Sequence, residues 1–353
     1  MSLVLTVDGD RWRAHLREVA AQPGLVPVAK GNGYGFGNHR LARRTQWLAD
    51  QGLGCDTLAV GTPAELDDVA TRFDGDLLVL TPWRPHPVAR SEHGDRVIHT
   101  VGRLSDLAAL AAGPGRPRVV LERLTSMKRH GFTARGLRDA VAALGGDGVR
   151  VEGVSIHLPL DRGGNADEAD LLMTDVVAAG LGDVAPVVWV SHLSAAAVAD
   201  LAARYPDFTF RPRVGTALWL GDRGALRVTA RVLDVHPVER GETFGYRGRV
   251  MPRTGTLLVV SGGTAHGIGL EAPTGAGGVR ARAASLARGG LDALGLVRSP
   301  YAVAGRTRYF AEPPHMQASM LFLPSGVDVP EVGAEVDVRV RFTATSFDSV
   351  DIR

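Results

Sequence analysis

The stretch LVPVAKGNGYGFGNHRLARRTQWLADQGLGCDTLAV (residues 25–60) sets the reading of the whole chain. Its opening run, LVPVA (25–29), reads as a strand and ends on Lys30. A glycine-rich segment follows, and RLARRTQWLADQG (40–52) then has helical spacing and closes on a glycine. DTLAV is the next apolar run. TPAELDDVATRF begins with Thr62, Pro63 and Glu65, the pattern of a capping box with proline at the first helical position. Further strands are expected at 76–81, 96–101, 118–123, 149–158, 186–191 and 210–221. Helical patterns such as LSDLAALAA, ARGLRDAVAALGG, EADLLMTDVVAAG and SAAAVADLAARY lie between them. Strands that are apolar throughout and alternate with helices imply a parallel sheet covered by helices. The class is α/β, and about eight units in roughly 210 residues suit a (β/α)8 TIM-like barrel. A doubly wound sheet is the alternative.

The pattern changes near residue 225. ALRVTARVLDVHPVER, GTLLVVSGG, YAVAGRTRYF, SMLFLP and EVDVRVRFTA alternate apolar and polar residues with period two, the mark of an antiparallel β domain. The expected division is a barrel over 11–225 and a β domain over 226–353, with residues 1–10 a candidate addition to the second. GVRARAASLARGGLDALGL (278–296) has helical content and reads as an insertion. There is no internal repeat.

Composition narrows the class of function. Of 353 residues, 45% are hydrophobic and 22% charged, which describes a soluble globular protein with ample core. The formal charge of +2 and the lack of a basic run argue against a nucleic-acid or membrane surface. The single cysteine, Cys55, forms no intrachain disulfide or CxxC metal pair, as suits a reducing compartment. MSLVLTVDGDRWR reaches charge too early for a signal peptide, and no apolar run is long enough for a membrane span. A cytoplasmic protein without a metal site is expected.

In a (β/α)8 barrel, reactive groups sit at the C-terminal ends of strands. Lys30 ends the first strand, and Arg129 follows the strand VVLER within LTSMKRHGF. His157 ends VEGVSIHL, Ser194 lies just before a helix, and Arg213, Gly215 and Thr216 lie in RPRVGTALWLG. Taken singly, a strand-end lysine is usually solvated, a strand-end histidine is often packed, and Ser194 reads as a helix N-cap. Occurring at the ends of several strands, they favour a site. The set suits pyridoxal 5′-phosphate: the lysine amine forms an imine with the aldehyde, while Ser194 and the backbone N–H groups of Gly215 and Thr216 hold the phosphate.

VAKGNGYGFG resembles the pyridoxal-lysine motif of the alanine racemase family, commonly AxVKANAYGHG. In order along the chain, LTSMKRHGF resembles the family's DTGMxRxGF, GVSIHLP its strand ending in THF, and HLSAAA its NSAA segment. RPRVGTALWLG resembles VRPGIALYG, and HMQASMLFL resembles SMDQxxVDL. The resemblance implies that Lys30 is the Schiff-base lysine and one of two racemisation bases, and that Tyr34 supports the phosphate or the lysine. It implies that Arg129 binds the cofactor's phenolic oxygen and the substrate carboxylate, and that His157 packs on the pyridine ring. Ser194, Gly215 and Thr216 would bind phosphate, and Arg213 would face the pyridine nitrogen. A permanently charged donor there keeps that nitrogen unprotonated and the ring a weaker electron sink. The resemblance also implies a small amino-acid substrate and a homodimer whose active sites are completed by the partner's β domain.

Several positions depart from the family pattern. VVSGGTAHGIGL (259–270) carries Thr264 where the family has its second catalytic base, a tyrosine, and His266 at the following acidic position. A threonine hydroxyl is far too weak an acid to replace tyrosine in that role. His266 is a candidate replacement base, since imidazole titrates near neutrality; its alternative reading is a loop histidine filling the space of the lost aspartate. Gln317 stands for the aspartate of SMDQ, and Glu122 for the lysine that is often carbamylated. Phe347 stands where a phosphate-binding tyrosine is expected. Three outcomes follow: a racemase with an altered second base, a pyridoxal enzyme with one-face chemistry of the aldolase or decarboxylase kind, or a non-catalytic pyridoxal-phosphate-binding descendant.

Overall fold

The computed structural model describes residues 2–85, 93–144, 148–160, 163–270 and 297–353. Its contacts divide the chain into two units. One is Arg13–Gly33 with Gly37–Gly221; the other is Met1–Trp12 and Tyr34–Phe36 with Asp222–Arg353.

In the first unit the strands Val26–Pro27, Thr57–Val60, Asp76–Val79, Val97–Val101, Arg118–Arg123, Arg150–His157, Val187–Ser191 and Thr209–Val214 form one parallel sheet in chain order. The first strand pairs with the last through Val26 and Arg213, and a bridge between Val28 and Ala59 joins it to the second, so the sheet closes. The expected α/β barrel is therefore borne out, and the doubly wound alternative is not. Period two explains the continuously apolar strands. Val119, Leu121, Val154, Ile156, Val188 and Val190 pack outward with Leu137, Met173 and Leu201 of the helices. The intervening Val120 and Trp189 join Val26, Val28, Ala59, Leu78 and Ile98 in the barrel interior. Both faces are buried, so neither carries the polar alternation of a half-exposed strand.

The run 210–221 departs from expectation. Only Thr209–Val214 is strand; the chain turns at Gly215 into the short helix Thr216–Leu220. Leu218, Trp219 and Leu220 are all buried, and the Trp219 indole N–H donates to the Val28 carbonyl at 2.8 Å. Three consecutive buried apolar residues carry no period that separates strand from helix. The TPAELDDVATRF segment also differs in detail, as a 3-10 turn Pro63–Glu65 leading into the helix Leu66–Ala70.

The second unit is antiparallel. Gly255–Ser261, Ala318–Pro324, Arg306–Phe310, Arg298–Val303, Glu335–Val338 and Leu226–Val238 pair in that order, and the last pairs again with the first to close the ring. Leu226–Val238 serves several partners because its register shifts between Val232 and Asp234, where a bulge bends it. Leu3–Val7 adds to this long strand antiparallel, and Ser349–Ile352 pairs with Leu3–Val7 in parallel. The helical reading of 278–296 lies outside the described residues. Among the described residues, no helix is long and apolar enough to cross a membrane.

Candidate active site

The strand parity that fills the barrel also builds the site. Val28, Val120 and Trp189 face the interior, and two residues further along their strands stand Lys30, Glu122 and Ser191. Arg211, whose guanidinium lies 4.5 Å from the Trp189 ring centre, is likewise two residues before Arg213. Ser155 is fully buried two residues before His157. Inward-facing positions near the C-terminal strand ends thus carry Lys30, Glu122, His157, Ser191 and Arg213 in one unit.

Lys30 is exposed at its open end, while the surrounding wall desolvates its amine. Desolvation first, and then the charges of Arg129 and Arg213, lower its pKa; Glu65 opposes them. The turn after it is anchored by Glu65. Glu65 Oε1 accepts from Gly31 N at 2.9 Å, and Oε2 accepts from Gly61 N at 2.6 Å and Thr62 N at 3.2 Å. The carboxylate thereby ties the ends of the first two strands together. Glu65→Ala leaves three N–H groups without their acceptor, and urea unfolding is expected to show a loss of about 1–3 kcal/mol. Glu65→Gln should recover only part of it, because the amide NH2 group meets further donors.

Arg213 is buried. Its Nη1 donates to Ser155 Oγ at 2.9 Å and its Nη2 to the Ile156 carbonyl at 3.2 Å, while its buried Nε has no partner. Burial lowers its pKa to about 10, with Glu122 opposing the shift. Glu122 is itself buried, with one oxygen unpartnered, and burial raises its pKa. A buried polar atom without a partner is uncommon in a finished core and marks where a ligand atom fits.

His157 Nδ1 lies 3.1 Å from Ser191 Oγ, and its ring meets that of His192 edge-on with centroids 5.3 Å apart. Burial, followed by the charges of Arg213, Arg129, His192 and Lys30, lowers its pKa to about 2. The ring is therefore neutral over the working pH range. A histidine whose folded pKa is depressed binds its proton more readily when unfolded, so stability is retained above its unfolded pKa and falls as pH drops below it. Between about pH 5.5 and 4, unfolding free energy should fall more steeply for the wild type than for His157→Gln, by close to 1.4 kcal/mol per pH unit. Denaturant titrations at several pH values measure the difference.

Arg129 lies in the loop after Arg118–Arg123 and is exposed. Thr125 Oγ1 donates to the His157 carbonyl at 2.8 Å and ties that loop to the next strand. Gly131 allows the loop's close return: at φ 120°, a Cβ there would lie 2.5 Å from Leu124 N. Ser194 is the N-cap of Ala195–Arg204, its Oγ accepting from Ala197 N at 3.1 Å. Its hydroxyl proton is still available to an anion. Gly215 and Thr216 lie where the last barrel strand turns into its short helix.

Two of the anticipated site residues fall in the other unit. Tyr34 is buried at φ 54° in the Tyr34–Phe36 segment. Its neighbour Gly35 admits no side chain, because a Cβ would lie 2.6 Å from the Phe347 ring. His266 has both ring nitrogens engaged: Gly263 N donates to Nδ1 at 3.3 Å, and Nε2 lies 3.1 Å from Asp348 Oδ1. Thr264 is exposed in the same turn.

The sequence reading missed Glu65 as an anchor, Ser155 and Ser191 as partners, and His192 altogether. Parity was the available signal for Ser155, which lies one inward step before His157. The barrel set combines two guanidinium groups, an amine with a depressed pKa, a neutral imidazole and a hydroxyl at a helix start. Such a set can hold a multiply charged anion and move protons beside it.

The family described as alanine racemase, N-terminal domain, matches residues 7–222. The alanine racemase of Mycolicibacterium vanbaalenii is 28% identical over 281 residues, spanning 72% of this chain and 69% of its own length. That of Mycobacterium tuberculosis (strain ATCC 25618 / H37Rv) is 29% identical over 285 residues, spanning 72% and 70%. Among solved structures, alanine racemase from D-cycloserine-producing Streptomyces lavendulae shares the fold with a TM-score of 0.67 at 22% identity, covering 100% of this chain and 97% of that one. The alanine racemase of Bartonella henselae, solved with covalently bound pyridoxal phosphate, gives 0.69 at 17% identity and covers all of both chains. By its matched sequence, this chain belongs to the alanine racemase family.

Proposed function

We propose that the protein is a pyridoxal 5′-phosphate-dependent, racemase-like enzyme acting on a small amino acid, with Lys30 as the residue that holds the cofactor and with an altered second base. The observation that carries this reading is the buried, partnerless Nε of Arg213 in the same cluster as a lysine of depressed pKa. A ring nitrogen that accepts a hydrogen bond fits that Nε, and an aldehyde fits the amine. The Bartonella relative, with its covalently bound pyridoxal phosphate, adds support.

Bound there, the cofactor supplies an electron sink that makes the Cα–H bond of an amino acid acidic. The chain's own groups supply the rest. Lys30, its amine biased toward the neutral form by desolvation and by two guanidinium groups, takes or returns a proton at its Nζ. Arg129 offers a bidentate fork to a carboxylate. His157, held neutral and tied to Ser191, presents a ring face with no charge to titrate. Ser194 and the N–H groups of Gly215 and Thr216 suit a phosphate. Glu122 supplies a carboxylate among the cations at the position where the family often has a carbamylated lysine. A second copy of the chain is expected to complete the enzyme as a homodimer.

One specific observation favours the one-face alternative: Thr264 offers no base of tyrosine's strength. Purified holoprotein with L-alanine or L-serine in deuterium oxide separates the readings. Racemisation predicts α-proton exchange by NMR together with D-isomer by chiral chromatography. Exchange with retained configuration favours one-face chemistry. Absence of exchange with these and other small amino acids removes the enzymatic reading.

A further inference from the structure

Racemisation needs two groups able to take and give a proton, and Thr264 is not one of them. Among the described residues of the barrel unit, the groups whose charges act on Lys30 or feel its charge include Arg129, Arg213, Glu65, His157 and His192. Four of these are committed elsewhere. Both arginines stay protonated. The Glu65 carboxylate accepts three backbone N–H groups. His157 has one ring nitrogen on Ser191 and does not titrate near neutrality.

His192 differs. It is exposed, its ring stands at 73° to that of His157, and neither of its ring nitrogens has a hydrogen-bond partner among the described residues. It immediately follows Ser191, the last residue of its barrel strand, and takes φ 62°, a conformation that a residue with a side chain rarely adopts. Asn165 holds it there. That buried side chain donates from Nδ2 to the His192 carbonyl and to the Pro159 carbonyl, each at 2.9 Å. Strained backbone pinned by a buried amide at a strand end is a device that aims a side chain.

We propose that His192 is the second proton-transfer group of this site, working with Lys30 on the α-carbon of the substrate; this rests on the racemase-like function proposed above. One nitrogen takes the proton that leaves Cα, and the other returns a proton to Cα. The two then reset their protonation through water, so that protons balance. Desolvation and the charges of Lys30, Arg213 and Arg129 hold the His192 imidazole below its usual range, so at neutral pH it enters as the neutral base. In that direction Lys30 Nζ, protonated by the ammonium group of the incoming amino acid, is the acid that returns a proton to Cα; in the reverse direction the neutral Lys30 amine takes the Cα proton and the protonated His192 ring returns one.

The test compares holoprotein and His192→Gln with L-alanine and L-serine in deuterium oxide. Cofactor load is read from visible absorbance, exchange by NMR and D-isomer by chiral chromatography. The variant should keep the cofactor and one-face exchange but lose D-isomer formation by about 10²–10⁴-fold, with partial rescue by added imidazole. Independently of turnover, the pH titration of the cofactor's absorbance should show an inflection in the wild type that the variant lacks. D-isomer formation at the wild-type rate by His192→Gln would overturn the inference and leave the proposed function standing. Loss of the cofactor itself from the variant would overturn it in favour of a cofactor-holding role. A cofactor-loaded wild type that exchanges no α-proton would overturn both.

Discussion

Replacing Lys30 by alanine is expected to abolish the visible absorbance of bound pyridoxal phosphate and to lower turnover by about 10⁴-fold or more, toward the rate of the free cofactor. The magnitude follows from two roles on one nitrogen. In the proposed function the amine is the covalent attachment point, and desolvation with the neighbouring guanidinium charges lowers its pKa, which favours the same nitrogen as a base. The fold should not suffer. Lys30 is exposed, and the turn after it is held by Glu65 and the backbone rather than by the amine. Unfolding free energy should therefore stay within about 0.5 kcal/mol of the wild type. An unchanged absorbance spectrum in Lys30→Ala would remove Lys30 from the cofactor site, whatever the activity.

Arg213→Gln is expected to have the next largest effect, and it changes the kind of product as well as the rate. The guanidinium can only donate, so its free Nε matches a ring nitrogen that carries no proton. A glutamine amide can donate or accept, and its carbonyl can receive a hydrogen bond from a protonated ring nitrogen. On the proposed function the ring would then be a stronger electron sink, and side reactions that a donor-only group would restrain should be released. Racemisation should fall by about 10²–10³-fold, while keto acid released per racemisation turnover rises. Rates of D-isomer formation and keto-acid formation measured on the same sample give the ratio. A variant with an unchanged ratio would show that Arg213 does not control the ring nitrogen. Some loss of stability accompanies the change, because Ser155 Oγ and the Ile156 carbonyl lose donors and Glu122 loses its buried counter-charge.

Much of this was legible before any coordinates. Strand–loop–helix alternations such as LVPVA–Lys30–glycine-rich loop–helix–DTLAV carry both the barrel and the position of the candidate lysine. The motif resemblance points to Arg129, His157 and Arg213 as candidates. Other features were hidden for stated physical reasons. Glu65 looked like a helix cap, and its second oxygen reaches Gly31 only because neighbouring strands bring 31 and 65 together. TALWL follows a strand and ends in three consecutive buried apolar residues, which show no period that would mark a helix. His192, in an ordinary-looking SHLSAA string, became visible through its φ, its Asn165 anchor and its contact with His157.

By itself, the sequence determined what depends on neighbours along the chain: the strand and helix periods, the order of elements, the change of character near 225 and the candidates for a site. Side-chain direction alternates every residue in a strand and turns about 100° per residue in a helix, so these properties are local. Tertiary structure alone decided which groups meet. Closure through Val26 with Arg213 and Val28 with Ala59 is a pairing between distant parts of the chain. That closure gathers residues 30, 65, 122, 157, 192 and 213 at one set of strand ends. The low polarity inside then shifts their proton affinities, desolvating Arg213 and His157 in ways that residue type cannot predict.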